Sequence, residues 1–543
     1  MKLYCYVIGI VCLFLMPCCK KNIEDKIIEP PPPPVKQEPT LILTAADVES
    51  DNAVRIHGRI KAQDWPGAVY GIVYSADSIP TVNTPGRINL GPVSDSVDIA
   101  YTVNDLLPKK DYTFRLFAKW EDKTWYSTPK QVIPVQFHLK PLEDSFISRN
   151  TMIKIYFTER IPFDEYTGFE VYVGDKKIAT KDALVSTFGE SINLLVPVDY
   201  KQGTPITVKK GLYSETIVPD IPVLPGYWRK IAAHQGKIMD NAAYFTLGNK
   251  GYIVGGNWFP SPWASTNAVW EIDLATYEWK QKNPFPLAYI NNAMAVVVNN
   301  KAYLFGGALN RDAGNNNYVW EYDPASDSWQ NISTMPNDLG VIGRMRFATV
   351  VYNNKVYMGA GSTYNGSGTY VYYYPENWVT FDPATRKWER LPRLSYSAGA
   401  ENMTAYINNN KLYVFGGNND YNEKNGNFVL DLNDNTWSQP DITRPLQPRT
   451  GVSVITKNNL TYFFGGYQKD PETGKWASNF EFWKMDADQQ YTRLASACES
   501  ENVSELNRNA PIFPTANGFI VYNVFTWGGD NTLTREVIEY VAD

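Results

Sequence analysis

One segment near the middle of this 543-residue chain predicts its fold: Asn241-Ala-Ala-Tyr-Phe-Thr-Leu-Gly-Asn-Lys-Gly-Tyr-Ile-Val-Gly-Gly256. Apolar and aromatic residues flank the triplet Gly248-Asn249-Lys250, and Gly and Asn supply the positive φ angles that a tight hairpin turn requires. The two closing glycines let neighbouring backbones approach closely. The stretch therefore predicts a β-hairpin that ends in a tight junction.

The same pattern recurs five more times toward the C-terminus. Successive copies end 49 to 58 residues apart, which is a spacing typical of propeller blades. Asn-Asn-Lys turns appear at the expected centre of three copies, beginning at Asn299, Asn353 and Asn409. The six predicted hairpins are Asn241–Gly256, Asn292–Gly307, Arg346–Gly361, Asn402–Gly417, Thr450–Gly466 and Asn509–Val524.

Two further marks accompany the hairpins. Glycine pairs close four of them, and in four an Asp stands six residues before a Trp: Asp273/Trp279, Asp323/Trp329, Asp382/Trp388 and Asp431/Trp437. On these marks residues 225–543 resemble the Kelch-repeat family, which implies a six-bladed β-propeller. The fifth copy lacks the Asp and Trp pair, and the sixth replaces the glycine pair by Asn523-Val524.

The ends of this region indicate how the ring closes. The last copy stops at Val537–Val541 without a Trp strand, whereas Tyr227-Trp228-Arg229-Lys230 stands alone before the first hairpin. We expect this N-terminal strand to complete the final blade, because closure removes exposed sheet edges.

Two shorter stretches of alternating strands precede the repeats. Residues 40–137 resemble a fibronectin type III domain, since Leu107-Pro108 precedes Tyr112 as in the tyrosine corner of that fold. Residues 138–224 resemble an immunoglobulin-like module of the IPT/TIG type, ending in Gly203–Val208. The predicted fold class is all-β: two immunoglobulin-like β-sandwich modules followed by a six-bladed Kelch-type β-propeller.

The N-terminus has the features of an export signal. A charged start precedes the apolar run Leu3 to Pro17, and the following Cys18-Cys19 resembles a bacterial lipobox. We predict a signal peptide over residues 1–19 with lipidation at Cys19, Cys18 being the alternative. Residues 20–39 form a Pro-rich linker. The expected location is the outer membrane, as a lipoprotein at the cell surface.

Composition excludes several classes of function. The net charge is -6 and no Lys/Arg-rich run occurs, so nucleic-acid binding lacks its electrostatic basis. The propeller region contains one His, His234, and one Cys, Cys498. A copper site of the galactose-oxidase type therefore cannot be built, and no metal or other cofactor is predicted.

The candidate site follows from the resemblance, because the innermost strands of Kelch propellers begin at the mouth of a central channel. The first residues of the hairpins, Thr450 in the fifth, and the loops after the glycine pairs should meet at this mouth. They combine aromatic rings with amide and guanidinium groups, which together suit the binding of sugars. The predicted ligand-binding residues are Asn241, Trp258, Asn292, Asn310, Arg346, Tyr364, Glu401, Asn402, Asn418, Arg449, Tyr467, Asn509 and Trp527.

Three functions fit this arrangement. The leading prediction is a surface lipoprotein that binds a glycan or oligosaccharide and serves glycan uptake, with other outer-membrane uptake proteins as partners and the membrane contacted through the lipid. The second is a sugar mutarotase of the sialic acid type, in which Arg346, Glu401 and Arg449 act around the channel. The third is a propeller that docks a protein. No motif identifies catalytic residues.

Overall fold

The structure is a computed structural model that describes residues 35–543, with gaps. The gaps are residues 51, 135–136, 162–166, 211–212, 232–238, 259–265, 311–313, 341–342, 364–376, 395–399, 420–421, 424–425, 442–444, 447–448, 471, 498–502, 507–509 and 528–532. The described part is all-β, apart from one 3-10 turn at Thr180–Asp182. Within it, no helix has the length and apolar character needed to cross a membrane. It divides into two compact units, up to residue 134 and from residue 137.

The first unit consists of two antiparallel sheets around one apolar core. One sheet has the order β1-β2-β5 and the other β4-β3-β6-β7, with β8 also paired to β6. Leu107 N–H donates to the Tyr112 hydroxyl at 3.0 Å, which is the corner contact that the sequence suggested. The strands are β1 (Thr40–Ser50), β2 (Ala53–Lys61), β3 (Ala68–Ser75), β4 (Gly86–Val93), β5 (Ser96–Val103), β6 (Tyr112–Trp120), β7 (Lys123–Tyr126) and β8 (Lys130–Val132).

The second unit begins with another pair of small antiparallel sheets, ordered β10-β14-β13 and β12-β11-β15-β16. Their shared core includes Phe137, Phe157 and Phe169, with ring centroids 5.3 to 5.8 Å apart. The strands are β9 (Ile147–Arg149), β10 (Met152–Tyr156), β11 (Phe169–Val173), β12 (Lys176–Lys177), β13 (Ala183–Val185), β14 (Ser191–Leu195), β15 (Ile206–Lys210) and β16 (Tyr213–Ile217).

The rest of the second unit is made of repeated small sheets. Its strands are β17 (Val223–Ile231), β18 (Met239–Asp240), β19 (Ala243–Leu247), β20 (Lys250–Val254), β21 (Asn257–Trp258), β22 (Val269–Asp273), β23 (Trp279–Lys282), β24 (Met294–Val298), β25 (Lys301–Phe305), β26 (Ala308–Asn310), β27 (Gly314–Asn315), β28 (Tyr318–Asp323), β29 (Ser328–Thr334), β30 (Arg344–Met345), β31 (Ala348–Tyr352), β32 (Lys355–Gly359), β33 (Ser362–Thr363), β34 (Val379–Asp382), β35 (Lys387–Arg390), β36 (Thr404–Asn408), β37 (Lys411–Phe415), β38 (Asn418–Asn419), β39 (Asn422–Glu423), β40 (Asn427–Asp431), β41 (Thr436–Ser438), β42 (Ser453–Lys457), β43 (Leu460–Phe464), β44 (Tyr467–Lys469), β45 (Trp476–Ser478), β46 (Phe482–Met485), β47 (Tyr491–Leu494), β48 (Val503–Leu506), β49 (Ile512–Pro514), β50 (Gly518–Trp527) and β51 (Leu533–Val541).

Antiparallel four-stranded sheets repeat in chain order. They are β19-β20-β22-β23, β24-β25-β28-β29, β31-β32-β34-β35, β36-β37-β40-β41 and β42-β43-β46-β47. Each begins with one of the predicted hairpins, and residue pairs such as Asn353 and Asn354 at the turns have positive φ angles. The short strands after the glycine pairs form separate two-stranded ribbons, for example β38-β39 and β44-β45. The predicted turn chemistry is therefore confirmed.

The recurring Asp and Trp residues shape the outer half of the four sheets that carry them. Asp273 Oδ1 accepts the N–H groups of Ala275 and Thr276 at 2.8 and 3.1 Å. The hydrogen bond from Lys250, followed by these two backbone bonds, lowers the pKa of Asp273 to about 2. The Trp279 ring then packs 5.4 Å from Tyr522 of a neighbouring sheet. The Asp fixes the turn and the Trp fills the gap between adjacent sheets.

The ends of the repeat region pair with each other, as predicted. Tyr227 to Ile231 in β17 are antiparallel to Val541 to Val537 in β51, which completes the order β49-β50-β51-β17. The Trp228 side chain is fully buried, and its Nε1 donates to the Ala495 carbonyl at 2.7 Å. The innermost strands contact one another in the order β19, β24, β31, β36, β42 and β49, and β49 contacts β19.

Strand β17 has a second neighbour that the sequence did not suggest. β9 pairs with it in parallel, through Val223 with Ile147 and Tyr227 with Arg149. Asn150 Nδ2 donates to the Trp228 carbonyl at 2.6 Å, and Arg149 forms an ion pair with Asp543. The sheet that contains β51 therefore ends in a strand, β9, that comes from the segment before the repeats.

Candidate ligand-binding cavity

A ring of left-handed residues precedes the innermost strands. Asn241, Asn292, Arg346, Asn402 and Gly451 all have φ between 52° and 68°, a conformation that Asn and Gly adopt more readily than other residues. The last four each donate a backbone N–H to the carbonyl of the preceding member, at 2.8 Å for Asn292, 3.1 Å for Arg346, 2.8 Å for Asn402 and 2.9 Å for Gly451. The ring places the predicted hairpin starts side by side.

The fifth ring position corrects the sequence-based register. Gly451 occupies it, whereas the hairpin pattern assigned Thr450. Thr450 lies one residue earlier, where it is fully buried and its hydroxyl donates to Asn418 Oδ1 at 2.7 Å. Glycine takes the ring position because the left-handed backbone there disfavours a β-branched residue. The sixth predicted start, Asn509, lies outside the described residues.

The innermost strands enclose a cavity of about 460 Å³. Asn241, Asn292 and Arg346 line one end, and consecutive residues of β24, β31, β36 and β42 form the walls. Each of these is the first strand of its sheet order, so one backbone edge has no strand partner among the described residues and offers N–H and C=O groups. Arg346 is the only charged residue among the described residues that line the cavity.

The Arg346 guanidinium is held on two sides. Its Nε donates to Asn292 Oδ1 at 3.1 Å, and its Nη1 lies 3.1 and 3.2 Å from the two Glu401 oxygens. The Ser362 hydroxyl donates to Glu401 Oε2 at 2.8 Å. Nη2 has no acceptor among the described residues. The Arg346 side chain is 28% exposed but that of Glu401 only 6%, so Glu401 lies behind Arg346 and positions it.

Asn402 and Asn418 form part of a buried polar cluster beside this pair. Asn402 Nδ2 donates to Asn418 Oδ1 at 3.4 Å, and the backbones of Glu401 and Asn418 exchange two hydrogen bonds of 3.0 Å. Both side chains are more than nine-tenths buried. Their amides satisfy neighbouring groups, and the prediction that they contact a ligand directly is not supported by this burial.

Arg449 also has a different role from the one predicted. Its side chain is 1% exposed, and its guanidinium donates to Glu481 Oε2 at 2.7 Å and to Asn479 Oδ1 at 2.8 Å. Burial acts to raise the pKa of Glu481, but the hydrogen bond and charge of Arg449 outweigh it and the pKa is lowered. Arg449 joins parts of one sheet and is not exposed at the cavity.

Arg344 is a buried charged residue near the ring that the sequence patterns did not predict. It occupies the position equivalent to Arg449, because Gly307 donates to its carbonyl as Gly417 donates to that of Arg449. Its fully buried guanidinium donates to the carbonyls of Asn377 and Gly340, both at 2.9 Å. Burial lowers the pKa of Arg344 to about 9. The sequence did contain a pattern that could have identified Arg344. Arg344 and Arg449 each stand two residues before a residue of the left-handed ring.

The remaining predicted residues belong to the loops after the glycine pairs. Tyr467 lies half-buried in the ribbon β44-β45, paired with Ser478. The backbones of Trp258, Asn310 and Trp527 lie in β21, β26 and β50, but their side chains are outside the described part of the structure. Tyr364 and Cys19 are outside the described residues altogether. Among the residues described, no cluster of three His, Cys, Asp or Glu could hold a metal ion.

Comparisons with known proteins address the repeat region. Residues 227–400 match the family model described as the KLHDC2/KLHL20/DRC7 Kelch-repeats domain. The chain is 28% identical over 232 residues to "Kelch-like protein terF" of Aspergillus terreus, covering 40% of this chain and 48% of that protein. It is 23% identical over 231 residues to an N-acetylneuraminate epimerase of Haemophilus influenzae, covering 37% and 55%. The chain thus spans about half the length of these curated relatives.

A solved structure, "Structure of YjhT", aligns with a TM-score of 0.44 at 16% identity, covering 56% of this chain and 99% of that one. The family match agrees with the repeated four-stranded sheets and with the glycine, Asp and Trp marks in the sequence. The chain therefore carries a Kelch-repeat domain with a β-propeller fold.

Proposed function

We propose that the propeller cavity binds carbohydrate, with Arg346 as the main polar contact at its mouth. The observation that carries this proposal is the guanidinium geometry: in this cavity-lining side chain Nε and Nη1 are occupied by Asn292 and Glu401, whereas Nη2 has no acceptor among the described residues. A fixed, charged donor beside the amides of Asn241 and Asn292 suits hydroxyl and carbonyl oxygens. The volume of about 460 Å³ lies within the range of small-molecule sites.

A sugar mutarotase is the second candidate, favoured by the similarity to an N-acetylneuraminate epimerase. Anomer exchange requires groups that take a proton from one sugar oxygen and give one to another. Glu401 lies behind Arg346, and none of the described cavity residues is Asp, Glu, His or Lys. The geometry therefore favours binding over catalysis.

The wider architecture belongs to the same proposal. We infer that the sheets close into a six-bladed ring, preceded by a fibronectin type III-like and an IPT/TIG-like module. The predicted lipobox at Cys19 would attach the protein to the outer membrane, with the propeller presented at the cell surface as an accessory to glycan uptake. Replacing both Cys18 and Cys19 by Ser should release the protein from the membrane fraction.

The test of function is a glycan array probed with the chain from residue 35 onward. We expect Arg346→Ala to weaken binding about thirtyfold, since losing a charge-assisted contact at a buried centre costs about 2 kcal/mol. The matched control is Arg229→Ala, which breaks an ion pair with Glu539 away from the cavity. Equal losses in both variants would contradict the proposal.

Two other outcomes separate the alternatives. Anomer exchange measured by NMR, accelerated by the wild type and stopped by Arg346→Ala, would place the mutarotase first. If neither glycan binding nor anomer exchange is found across the sugar panel, protein docking becomes the leading function.

A further inference from the structure

The cavity is closed on its sides. Its walls are the innermost strands, which contact one another in sequence from β19 to β49 and back to β19. At the mouth, the backbone bonds of the left-handed ring join one sheet to the next, for example Asn402 N–H to the Arg346 carbonyl at 2.8 Å. A ligand cannot enter between two sheets without breaking these bonds. Where described residues surround the cavity, access is therefore along the axis only.

The cavity is also short and small. Its walls are strands of five residues, such as Ala348–Tyr352, which span about 17 Å at the usual rise per residue. The volume of about 460 Å³ lies toward the lower end of the range for pockets that bury a small molecule. Such a space holds one or two sugar units and excludes a long polysaccharide segment.

These two properties define how a glycan could use the cavity. We propose that the propeller recognises the end of a glycan chain, with the terminal sugar inserted along the axis past Arg346 and the rest of the chain left outside. An internal sugar carries chain on both sides, so it cannot enter a space that is closed laterally. This inference rests on the proposed carbohydrate function and specifies which part of the glycan is bound.

The first experiment measures stoichiometry and affinity by titration calorimetry. The probes are the mono- to hexasaccharide series of glucose, galactose, mannose, xylose and N-acetylglucosamine. For the series that binds, we expect one protein per chain at every length, and a molar affinity that changes less than about twofold beyond the disaccharide, because no additional binding registers appear. A number of bound proteins per chain that rises with length would overturn chain-end recognition while leaving carbohydrate binding intact.

The second experiment fills the cavity without altering its mouth. Thr349 lines the wall and is only partly buried, and it is not part of an apolar core cluster. Thr349→Trp should reduce affinity at least about tenfold, whereas Lys387→Trp, at an exposed position of β35 outside the cavity, should retain it. Circular dichroism and thermal melting check that both variants fold.

The outcomes distinguish the two proposals. Binding that survives Thr349→Trp in a folded protein would mean that the glycan lies across the mouth, which overturns the inference. If Thr349→Trp fails to fold, the length series with the wild type decides. Absence of binding in every series and across the glycan array would reject the carbohydrate function, and chain-end recognition with it.

Discussion

Replacing Glu401 by Gln tests whether this carboxylate acts by holding Arg346. The change keeps the side-chain shape and the acceptor for Ser362, but it removes the negative charge beside Arg346 Nη1. Charge-assisted hydrogen bonds contribute about 1.5 to 3 kcal/mol each. The two contacts with Glu401 start from the same donor atom, Arg346 Nη1, so we count them as one such bond. Because Arg346 is 28% exposed, we expect a loss in unfolding free energy of about 2 kcal/mol, near the lower end of that range.

Glu401→Gln should also weaken ligand binding, because the Arg346 side chain becomes more mobile in the free protein. Immobilising a mobile side chain on binding costs about 0.5 to 1.5 kcal/mol, so we expect affinity to fall about fivefold. Urea denaturation at neutral pH measures the first effect, and titration with the sugar selected by the array measures the second.

A double-mutant cycle provides the control. In an Arg346→Met background, Glu401→Gln should cost less than about 0.5 kcal/mol, because the ion pair is already absent. If Glu401→Gln destabilises both backgrounds equally, the carboxylate is stabilised by other contacts and the assignment of Glu401 as a positioning residue is wrong.

Three other residues give direct predictions. Trp228→Ala removes a fully buried ring that lies 5.1 Å from Phe464; it should cost about 3 to 5 kcal/mol in a melting or urea experiment, and a loss below 1 kcal/mol would argue against closure by β17. Gly416→Ala places a Cβ 2.1 Å from the Arg449 carbonyl at φ +67°, so it should lower the melting temperature, whereas Gly314→Ala, also at positive φ but with no atom within 4 Å of its Cβ, isolates the backbone cost alone. Glu481→Gln should lower the free energy of unfolding at pH 7. Because the pKa of Glu481 is lowered in the folded state, the ionised carboxylate stabilises the fold above its ordinary pKa of 4.5, and this stabilisation is lost as the pH falls through the folded-state pKa. The stability difference between wild type and Glu481→Gln should therefore shrink in acid, and a difference independent of pH would contradict the role of the ion pair.

The sequence predicted the repeat and its closure because both depend on local chemistry. Asn353-Asn354 specifies a tight turn wherever it lies, and an unpaired Trp228 strand needs the sheet edge that β51 leaves open. The one-residue error at Thr450 arose because hairpin patterns do not determine which residue has a left-handed backbone. Gly451 fits that backbone with less strain, and its identity was visible in the sequence.

Burial and long-range pairing could not be predicted in the same way. Arg449 and Glu401 are polar residues at strand starts, as Arg346 is, and only the packed structure shows that Arg449 is 1% exposed and Arg346 28%. β9 has three residues, Ile147–Arg149, and its parallel pairing with β17 involves partners more than 70 residues away. So short a strand has no periodicity that identifies its neighbour.

The pairing of β17 with both β51 and β9 determines how the propeller carries mechanical load. We expect tension that reaches Val223 from the preceding segment to pull β17 along its own axis. Because β17 is hydrogen-bonded on one edge to β51 and on the other to β9, those bonds are loaded in shear and must break together. A strand held on one edge and pulled from its end would instead peel away bond by bond. The strand by which the chain enters the ring is thus also the one best placed to resist being pulled out of it.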